Sequence, residues 1–206
     1  IGGGFQNIAS GESSVVAGGE RNSASGQWSS VVGGGGSYIN ENGSITPVGN
    51  RATGVASFVG GGQGNVASGA NSTVAGGGKI YKSIGSEGEV FGVTGNTASG
   101  ASSSIGGGYG NRASGEISVV SGGASNTSSA LSATVGGGER NSATERRATV
   151  GGGDSNTASG RGATIAGGYS NVASGRGATI AGGGNWSAQQ DDDRQSGGSD
   201  YGNHAL

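Results

Sequence analysis

An aliphatic residue, always Val or Ile, returns along the chain as the first residue of a fifteen-residue unit. With that residue at position 0, the unit reads Φ-x-G-G-x-x-N-x-A-S-G-x-x-[SA]-x, in which Φ is Val or Ile. Internal periodicity of this kind is typical of stacked repeats. The eleven units, numbered here as coils 1 to 11, begin at Ile1, Val16, Val31, Val59, Val74, Ile105, Val120, Val135, Val150, Ile165 and Ile180.

Two stretches of each unit, at positions 13 to 2 and at positions 6 to 10, alternate between near-invariant and variable residues. Because alternate residues of a strand face opposite sides, Ala163, Ile165 and Gly167 share one side, as do Asn171, Ala173 and Gly175. The repeated glycines rule out a helix. The pattern therefore predicts two strands and two turns in each coil, with near-invariant positions inside and variable positions such as Thr164 outside.

The fold expected from this pattern is an all-β parallel solenoid, or β-roll, of fifteen-residue coils. Successive coils pair in parallel about 4.8 Å apart, so eleven coils form a rod of roughly 50 Å. The asparagine at position 6 is expected to stack its amide along the axis, each bonded to the next coil. The glycines permit positive φ at the corners. Because so thin a core stabilises each coil weakly, neighbouring coils and other copies of the chain are expected to supply stability.

Two insertions interrupt the β-roll, which spans residues 1–184. Residues 35–49 interrupt coil 3 and residues 78–95 interrupt coil 5 at the same place in the unit, so both are predicted to leave one edge of the rod, about 10 Å apart. Each insertion alternates apolar and polar residues around a glycine-containing centre, which predicts a protruding hairpin. Residues 185–206 have no period and are predicted to form an irregular cap or a disordered end.

The composition excludes several other kinds of structure. Glycine makes up 52 of the 206 residues and hydrophobic residues only 30%, which is too few for a conventional globular core. A fixed asparagine position argues against a disordered linker, and collagen is excluded because glycine does not recur at every third residue. Without cysteine, the chain has neither disulfides nor a thiolate metal site.

Charge and hydropathy limit the partners that the chain is expected to meet. A net charge of −2 gives no general attraction to nucleic acid or to an anionic membrane. The sequence contains no run of eighteen apolar residues, so no transmembrane helix is predicted. Because the sequence starts without an initiator Met or a signal peptide, we expect a processed product or a piece of a longer protein.

The repeats resemble the head domains of YadA-like trimeric autotransporter adhesins. The matching phrases are Asn-x-Ala-Ser-Gly and Ser/Ala-x-Val/Ile-x-Gly, as in NTASGRGATIAGG at 156–168, and they extend over nearly all of residues 1–184. The Gly-Gly-rich form is most similar to heads of the ubiquitous-surface-protein type. The resemblance implies a homotrimer of left-handed β-rolls, held at the cell surface by an outer-membrane-anchored parent, that binds host matrix or cell-surface receptors. No neck motif, heptad stalk or anchor barrel of that family occurs in this sequence.

Catalysis is not indicated by any group of side chains, and no cofactor or metal is expected. The one histidine, His204, lies in the segment without period, and no His-Asp pair on the rod is positioned to activate a serine. Gly76–Lys79 lacks the hydroxyl residue and the spacing of a phosphate loop. Calcium-binding nonapeptide repeats need an aspartate in each turn, whereas Asp154 is the only one on the rod. Asp191–Asp193 is interpreted as a solvated acidic run.

Three arginines, Arg146, Arg161 and Arg176, occupy position 11 of consecutive coils. Guanidinium groups about 5 Å apart repel one another unless an anion intervenes. The column is therefore either a grip for sulfated sugar or sialic acid, or a solvated stripe beside carboxylates such as Glu145. The threonines at position 14 resemble one rank of an ice-binding face, but the strand preference of threonine explains them.

The hairpins carry the large side chains of a surface otherwise made of small ones. Tyr38, Ile39, Tyr81 and Phe91 are the predicted contact residues, because aromatic anchors dominate recognition sites. The alternative is that these four side chains cover one another or dock on a neighbouring subunit.

Three functions remain open at this point. The first is a non-enzymatic adhesin head that binds a host protein or glycan, the second is a segment of a phage or viral fibre on a virion surface, and the third is a monomeric ice- or glycan-binding solenoid. Mass in solution separates a trimer from a monomer, flanking sequence separates an adhesin from a fibre, and thermal hysteresis tests ice binding.

Overall fold

The chain is an all-β solenoid without a helix over the part that a computed structural model describes, residues 1–39, 45–85, 88–184 and 204–205. For residues 38–39, 45, 80–85, 88–93 and 204–205 it is the backbone that is described. Each complete coil contributes one two-residue strand to each of two parallel sheets. The predicted parallel solenoid of fifteen-residue coils is thereby confirmed.

Sheet A consists of the residues at positions 7 and 8. Its eleven described strands are β1 Ile8–Ala9, β3 Ser23–Ala24, β7 Arg51–Ala52, β9 Val66–Ala67, β13 Thr97–Ala98, β15 Arg112–Ala113, β17 Thr127–Ser128, β19 Ser142–Ala143, β21 Thr157–Ala158, β23 Val172–Ala173 and β25 His204–Ala205.

Sheet B consists of the residues at positions 14 and 0. Its ten described strands are β2 Val15–Val16, β4 Ser30–Val31, β8 Phe58–Val59, β10 Thr73–Val74, β14 Ser104–Ile105, β16 Val119–Val120, β18 Thr134–Val135, β20 Thr149–Val150, β22 Thr164–Ile165 and β24 Thr179–Ile180. Two antiparallel ribbons complete the described structure, β5 Ser37–Ile39 with β6 Ile45–Pro47, and β11 Lys79–Gly85 with β12 Gly88–Thr94.

The register of both sheets follows the sequence repeat. In sheet B, Val150 pairs with Ile165, which is fifteen residues further along the chain. In sheet A, Ala67 pairs with Ala98 although the second insertion lies between them. The backbone therefore returns to the same place after each coil, whether or not the coil is interrupted.

The core is a narrow file of inward side chains between the two sheets. Val150 at position 0, Ala158 at position 8 and Asn156 at position 6 are fully buried. Position 13 is serine in coils 1 to 6 and alanine in coils 7 to 10, and it also faces inward. Thr164 at position 14 is half-buried on the outer side of sheet B. The prediction that glycine at position 2 faces inward is wrong, because a Cβ added at Gly107 or Gly122 would meet no atom of the chain within 4 Å.

Asparagine at position 6 links each coil to the next, as Asn126 illustrates. Its Oδ1 accepts the backbone N–H of Asn141 at 2.9 Å, and its Nδ2 donates to the carbonyls of Gly122 at 2.9 Å and Gly138 at 2.8 Å. The asparagines of coils 1 to 9 all make these three bonds. The ladder is therefore mainly side chain to backbone, and amide-to-amide bonds are added only within coils 8 to 10 of the described chain.

The strands are shorter than predicted because tight corners follow them closely. At positions 10 to 13 the N–H of Ser118 donates to the carbonyl of Gly115 at 3.2 Å, which closes a β-turn, and Ile117 at position 12 has a φ of 55°. Glycine at position 3 takes the expected positive φ, as in Gly123 at 86°. Glycine at position 10 has an ordinary φ, and a Cβ built on Gly100 would collide with the carbonyl of Gly115 in the next coil. Coils 7 and 8 nevertheless have Ala130 and Glu145 at this position, so the backbone there accommodates a side chain.

Both insertions form antiparallel hairpins, as predicted, and both leave the rod between positions 4 and 5. Gly35 and Gly78 are the residues at position 4, with φ values of 75° and 87°. Gly49 and Gly95 are the residues at position 5, and a Cβ on either would collide with the backbone of the preceding coil. Four glycines thus let the chain leave and re-enter the same corner.

Each hairpin stem contacts the coil next to its own. Ser37 in the first hairpin donates its hydroxyl to Oε1 of Glu20 in coil 2 at 2.9 Å. Lys79 in the second hairpin places its Nζ 5.0 Å from the ring centre of Tyr109 in coil 6, a cation–π distance. These contacts fix the two stems against the rod.

Two residues of the C-terminal segment join sheet A. Strand β25 pairs in parallel with β23, with His204 opposite Val172 and Ala205 opposite Ala173. This register gives His204 position 7 of coil 11. The cap or disordered end predicted for 185–206 otherwise lies outside the described residues and stays a prediction.

Candidate binding surfaces

Ionisable side chains are sparse on the rod. Within the described ranges, no three His, Cys, Asp or Glu residues come together as a metal site would require, and no helix has the length and apolarity to cross a membrane. The guanidinium of Arg140 bonds Asp154 at 2.8 Å, Glu139 at 2.7 Å and the hydroxyl of Ser155 at 3.2 Å. This exposed network ties coil 8 to coil 9, and exposed pairs of this kind add little to stability.

The four predicted contact residues are placed on the two hairpins by the backbone. Tyr38 and Ile39 are consecutive residues of β5, while Tyr81 lies in β11 and Phe91 in β12. The β11–β12 register puts Tyr81 and Phe91 one step apart along the ladder. Because neighbouring positions of a ladder belong to opposite faces, each hairpin assigns its two contact residues to different faces. The hairpins are therefore two-sided ribbons.

A cleft lies where the first hairpin meets coils 1 and 2. Its volume is about 550 Å³, and Gln6, Asn7, Ile8, Arg21 and Pro47 line it. Arg21 donates from Nε to Oε1 of Gln6 at 2.7 Å, and Ile8 is 56% exposed. Hairpin and rod together thus build a recess that combines an apolar side chain with amide and guanidinium groups.

Large apolar side chains are exposed on one part of the rod only. Among the residues whose side chains are described, the exposed ones are Ile1, Phe5, Ile8, Val15, Trp28, Val32, Val55, Phe58 and Ile117. All nine lie in coils 1 to 6, which also carry both hairpins. These nine residues occupy seven different positions of the unit, so they do not all belong to one patch. The expectation that only the hairpins carry large side chains at the surface is therefore wrong for coils 1 to 6.

The three predicted arginines do form one surface. Arg146, Arg161 and Arg176 lie at the same turn of coils 8, 9 and 10 and are exposed. The sequence analysis missed a fourth cation, Arg147 at position 12 of coil 8, which is exposed at the same turn with a φ of 60°. The name arginine ridge is used below for these four residues. A search of position 12 as well as position 11 would have found Arg147.

No carboxylate neutralises the arginine ridge. Within the described part of the chain, none of its four guanidinium groups has a hydrogen bond or a salt bridge, and Glu145 forms no ion pair with it. Arg140, one corner away, is bonded to two carboxylates. The ridge therefore keeps its charge free for an anion from outside the described residues.

Glycine at position 2 recurs in all eleven coils although packing within the chain does not require it. A Cβ added at Gly107 or Gly122 would meet no atom within 4 Å, and both residues have ordinary φ values. The neighbouring outward positions of sheet B, positions 14 and 1, carry Gly, Ala, Ser, Thr, Val or Phe and no charged residue. This side of the rod, called the glycine face below, carries no charge, and nothing in the single chain fills the space beside its glycines.

Comparison with known proteins gives no match to the sequence of this chain. Neither the models of protein families nor the curated proteins match its sequence. The repeat, the pairing of its coils and the surfaces described above are therefore the grounds on which a function is proposed.

Proposed function

We propose that the chain is the head of a YadA-like trimeric adhesin, a non-enzymatic rod outside the cell that presents binding surfaces to host matrix or cell-surface receptors. The observation that carries this proposal is the placement of the hairpins. Two ribbons leave the same corner of a regular rod two coils apart, and the exposed apolar side chains lie on the same six coils. A rigid rod with recognition loops at one part of its length is suited to holding a receptor away from its anchor.

Self-association is part of the same proposal. Eleven glycines at position 2 leave open space beside the rod, and a side chain there would keep another rod at a distance. The requirement repeats at every coil, so a partner with the same axial period, a second copy of the chain, meets it along the whole length. The thin core, which stabilises each coil weakly, favours such lateral burial. The number of three copies, the surface location and the left-handed coil come from the family resemblance.

Deletion of the hairpins tests the binding role. Removing 36–48 and 79–94 joins Gly35 to Gly49 and Gly78 to Gly95, so coils 3 and 5 regain the length of their neighbours. We expect the circular dichroism of the rod to be kept and adhesion to matrix-coated surfaces or host cells to be lost. Variants that lack only one of the two hairpins are the matched controls, and they show which hairpin contacts the receptor. Adhesion that persists in the folded double deletion contradicts the role of the hairpins.

Substitution on the glycine face tests self-association. Gly107→Val with Gly122→Val adds side chains where the isolated chain has room, so we expect each subunit to fold and the mass in solution to fall from that of three chains to that of one. Ala101→Val, an equivalent enlargement at an exposed turn, is the control and should keep the mass of three chains. An unchanged mass in the glycine variant places the contact between copies on another face.

A further inference from the structure

We infer that the arginine ridge binds a linear sulfated polysaccharide that lies along the axis of the rod. The four residues are Arg146, Arg147, Arg161 and Arg176, on three adjacent coils at the turn opposite to the corner from which the hairpins leave. The site is separate from the hairpins and from the glycine face. It rests on the proposed function only in that the polysaccharide is met outside the cell.

The backbone holds the ridge in a straight row. The N–H of Gly162 donates to the carbonyl of Arg146 at 2.9 Å, and the N–H of Gly177 donates to the carbonyl of Arg161 at 3.0 Å. Each turn is thus bonded to the turn of the preceding coil, and the arginines of position 11 follow one another about 4.8 Å apart along the axis. No loop has to order itself before a ligand binds, so the row is preorganised.

The electrostatics of the row favour a bound anion. Guanidinium groups at this separation repel one another, and none has a carboxylate within salt-bridge distance in the described structure. The same turn also carries acidic residues, Glu12 in coil 1, Glu116 in coil 6 and Glu145 in coil 8, whereas its arginines lie in coils 8 to 10. Glu145 forms no salt bridge with the ridge in the described structure. An anion that lies across two or three coils relieves the repulsion and contacts several guanidinium groups at once.

The geometry selects the chemical class of the ligand. A guanidinium binds a tetrahedral oxyanion through two parallel hydrogen bonds, and a row of them along an axis matches a polymer with an anionic group on successive units. Single-stranded nucleic acid is disfavoured because its binding sites add aromatic side chains on which bases stack. In the described part of coils 7 to 10, no large apolar or aromatic side chain is highly exposed.

The test compares two variants of the full chain that each remove two positive charges. Arg161→Gln with Arg176→Gln alters the ridge, and Arg51→Gln with Arg112→Gln removes two exposed arginines from sheet A as a matched control. Binding of the purified chain to immobilised heparin, to desulfated heparin and to single-stranded DNA is measured at low and high salt. We expect binding to heparin that high salt abolishes, about tenfold weaker in the ridge variant and unchanged in the control.

Several outcomes overturn the inference. Equal weakening in both variants shows a nonspecific response to net charge, and equal binding of heparin and desulfated heparin removes sulfate as the recognised group. If single-stranded DNA binds as tightly as heparin, the ligand is a polyanion of another class and not specifically a sulfated polysaccharide. Arg161→Lys with Arg176→Lys keeps the charge, so undiminished binding in that variant removes the two-bond geometry from the argument. Heparin binding that survives when adhesion is absent upholds the ridge and counts against the proposed adhesin role.

Discussion

Asparagine at position 6 is the residue on which the stacking of the coils depends. Its side chain is buried, and it satisfies backbone groups that strands of two residues leave without a partner. A buried N–H or carbonyl without a partner costs about 1–3 kcal/mol, so each amide is worth more than an average surface contact.

Asn126→Ala is expected to lower the free energy of unfolding by about 3 kcal/mol, because the N–H of Asn141 and the carbonyl of Gly122 both lose their partner. The carbonyl of Gly138 keeps the N–H of Ala124. Chemical denaturation followed by circular dichroism measures the change. Thr127→Ala, at the next residue but facing outward, is the control and should cost less than about 1 kcal/mol. Equal costs in the two variants would count against the ladder.

Serine at position 13 is the opposite case, a polar residue that the core does not satisfy. The Oγ atoms of Ser29, Ser57, Ser72, Ser103 and Ser118 are buried without a hydrogen-bond partner in the described structure. Coils 7 to 9 have Ala133, Ala148 and Ala163 at this position, fully buried in the same core.

Ser103→Ala with Ser118→Ala is therefore expected to stabilise the rod by about 1 kcal/mol per site, since an unsatisfied buried hydroxyl is removed without a change of shape. The reciprocal variant, Ala133→Ser with Ala148→Ser, should destabilise it by a similar amount. Melting temperatures of both variants check the prediction. If Ser103→Ala with Ser118→Ala destabilises the rod, the serine hydroxyls must have a hydrogen-bond partner in the folded protein.

Among the elements, the turn at positions 10 to 13 stores conformational strain. Position 12 has a positive φ in each of the ten coils, yet only Gly162 and Gly177 fill it with glycine. Ile117 is the most unfavourable case, because a β-branched residue at a φ of 55° is an outlier and its side chain is 52% exposed. Little burial offsets the strain at this turn.

Ile117→Gly is expected to raise the free energy of unfolding by about 0.5–1 kcal/mol, the steric cost of the left-handed conformation less the greater freedom of an unfolded glycine. Gly162→Ile is the reciprocal test and should destabilise, since Gly162 has a φ of 69° and open space around an added Cβ. Denaturation curves of both variants measure the two effects. A destabilised Ile117→Gly rod would indicate that Ile117 is covered, for example by a second copy of the chain.

The whole molecule is a one-dimensional array in which each coil contacts the coil before and the coil after it. Stability in such an array is a sum of terms for coils and for their interfaces. The spacing of fifteen matters within the strands, because a shift of one residue in a strand exchanges its inner and outer positions against the neighbouring coil. The corner between positions 4 and 5, by contrast, accepts whole hairpins without a change of register.

Deletion of 151–165 removes one period and joins Val150 to Ala166, so we expect a folded rod whose denaturant m-value is about a tenth lower. Deletion of 151–164 leaves the later coils one residue out of register, and we expect these coils to unfold. The β-sheet signal in circular dichroism and the m-value separate the two results. Equal tolerance of both deletions would show that the inward positions do not set the register.

The sequence by itself determined the solenoid, its period, the inward positions 0, 6, 8 and 13 and the corner at which the hairpins leave, whereas it wrongly assigned glycine at position 2 to the inside. It did so because the same few residues return at the same positions in every coil and each position has one physical task. Tyr38, Ile39, Tyr81 and Phe91 were correctly assigned to hairpins, and Arg146, Arg161 and Arg176 to one column, because counting residues suffices for both.

Only the tertiary structure showed the features that depend on where neighbouring coils lie. The close approach of neighbouring coils at position 10 and the backbone partners of the asparagine amides are relations between coils, and the open space beside glycine at position 2 depends on how the strands are oriented. The strand formed by His204–Ala205 was likewise visible only through its pairing with β23. A periodic sequence specifies which residues repeat, whereas the distance between neighbouring coils decides what each repeated residue does.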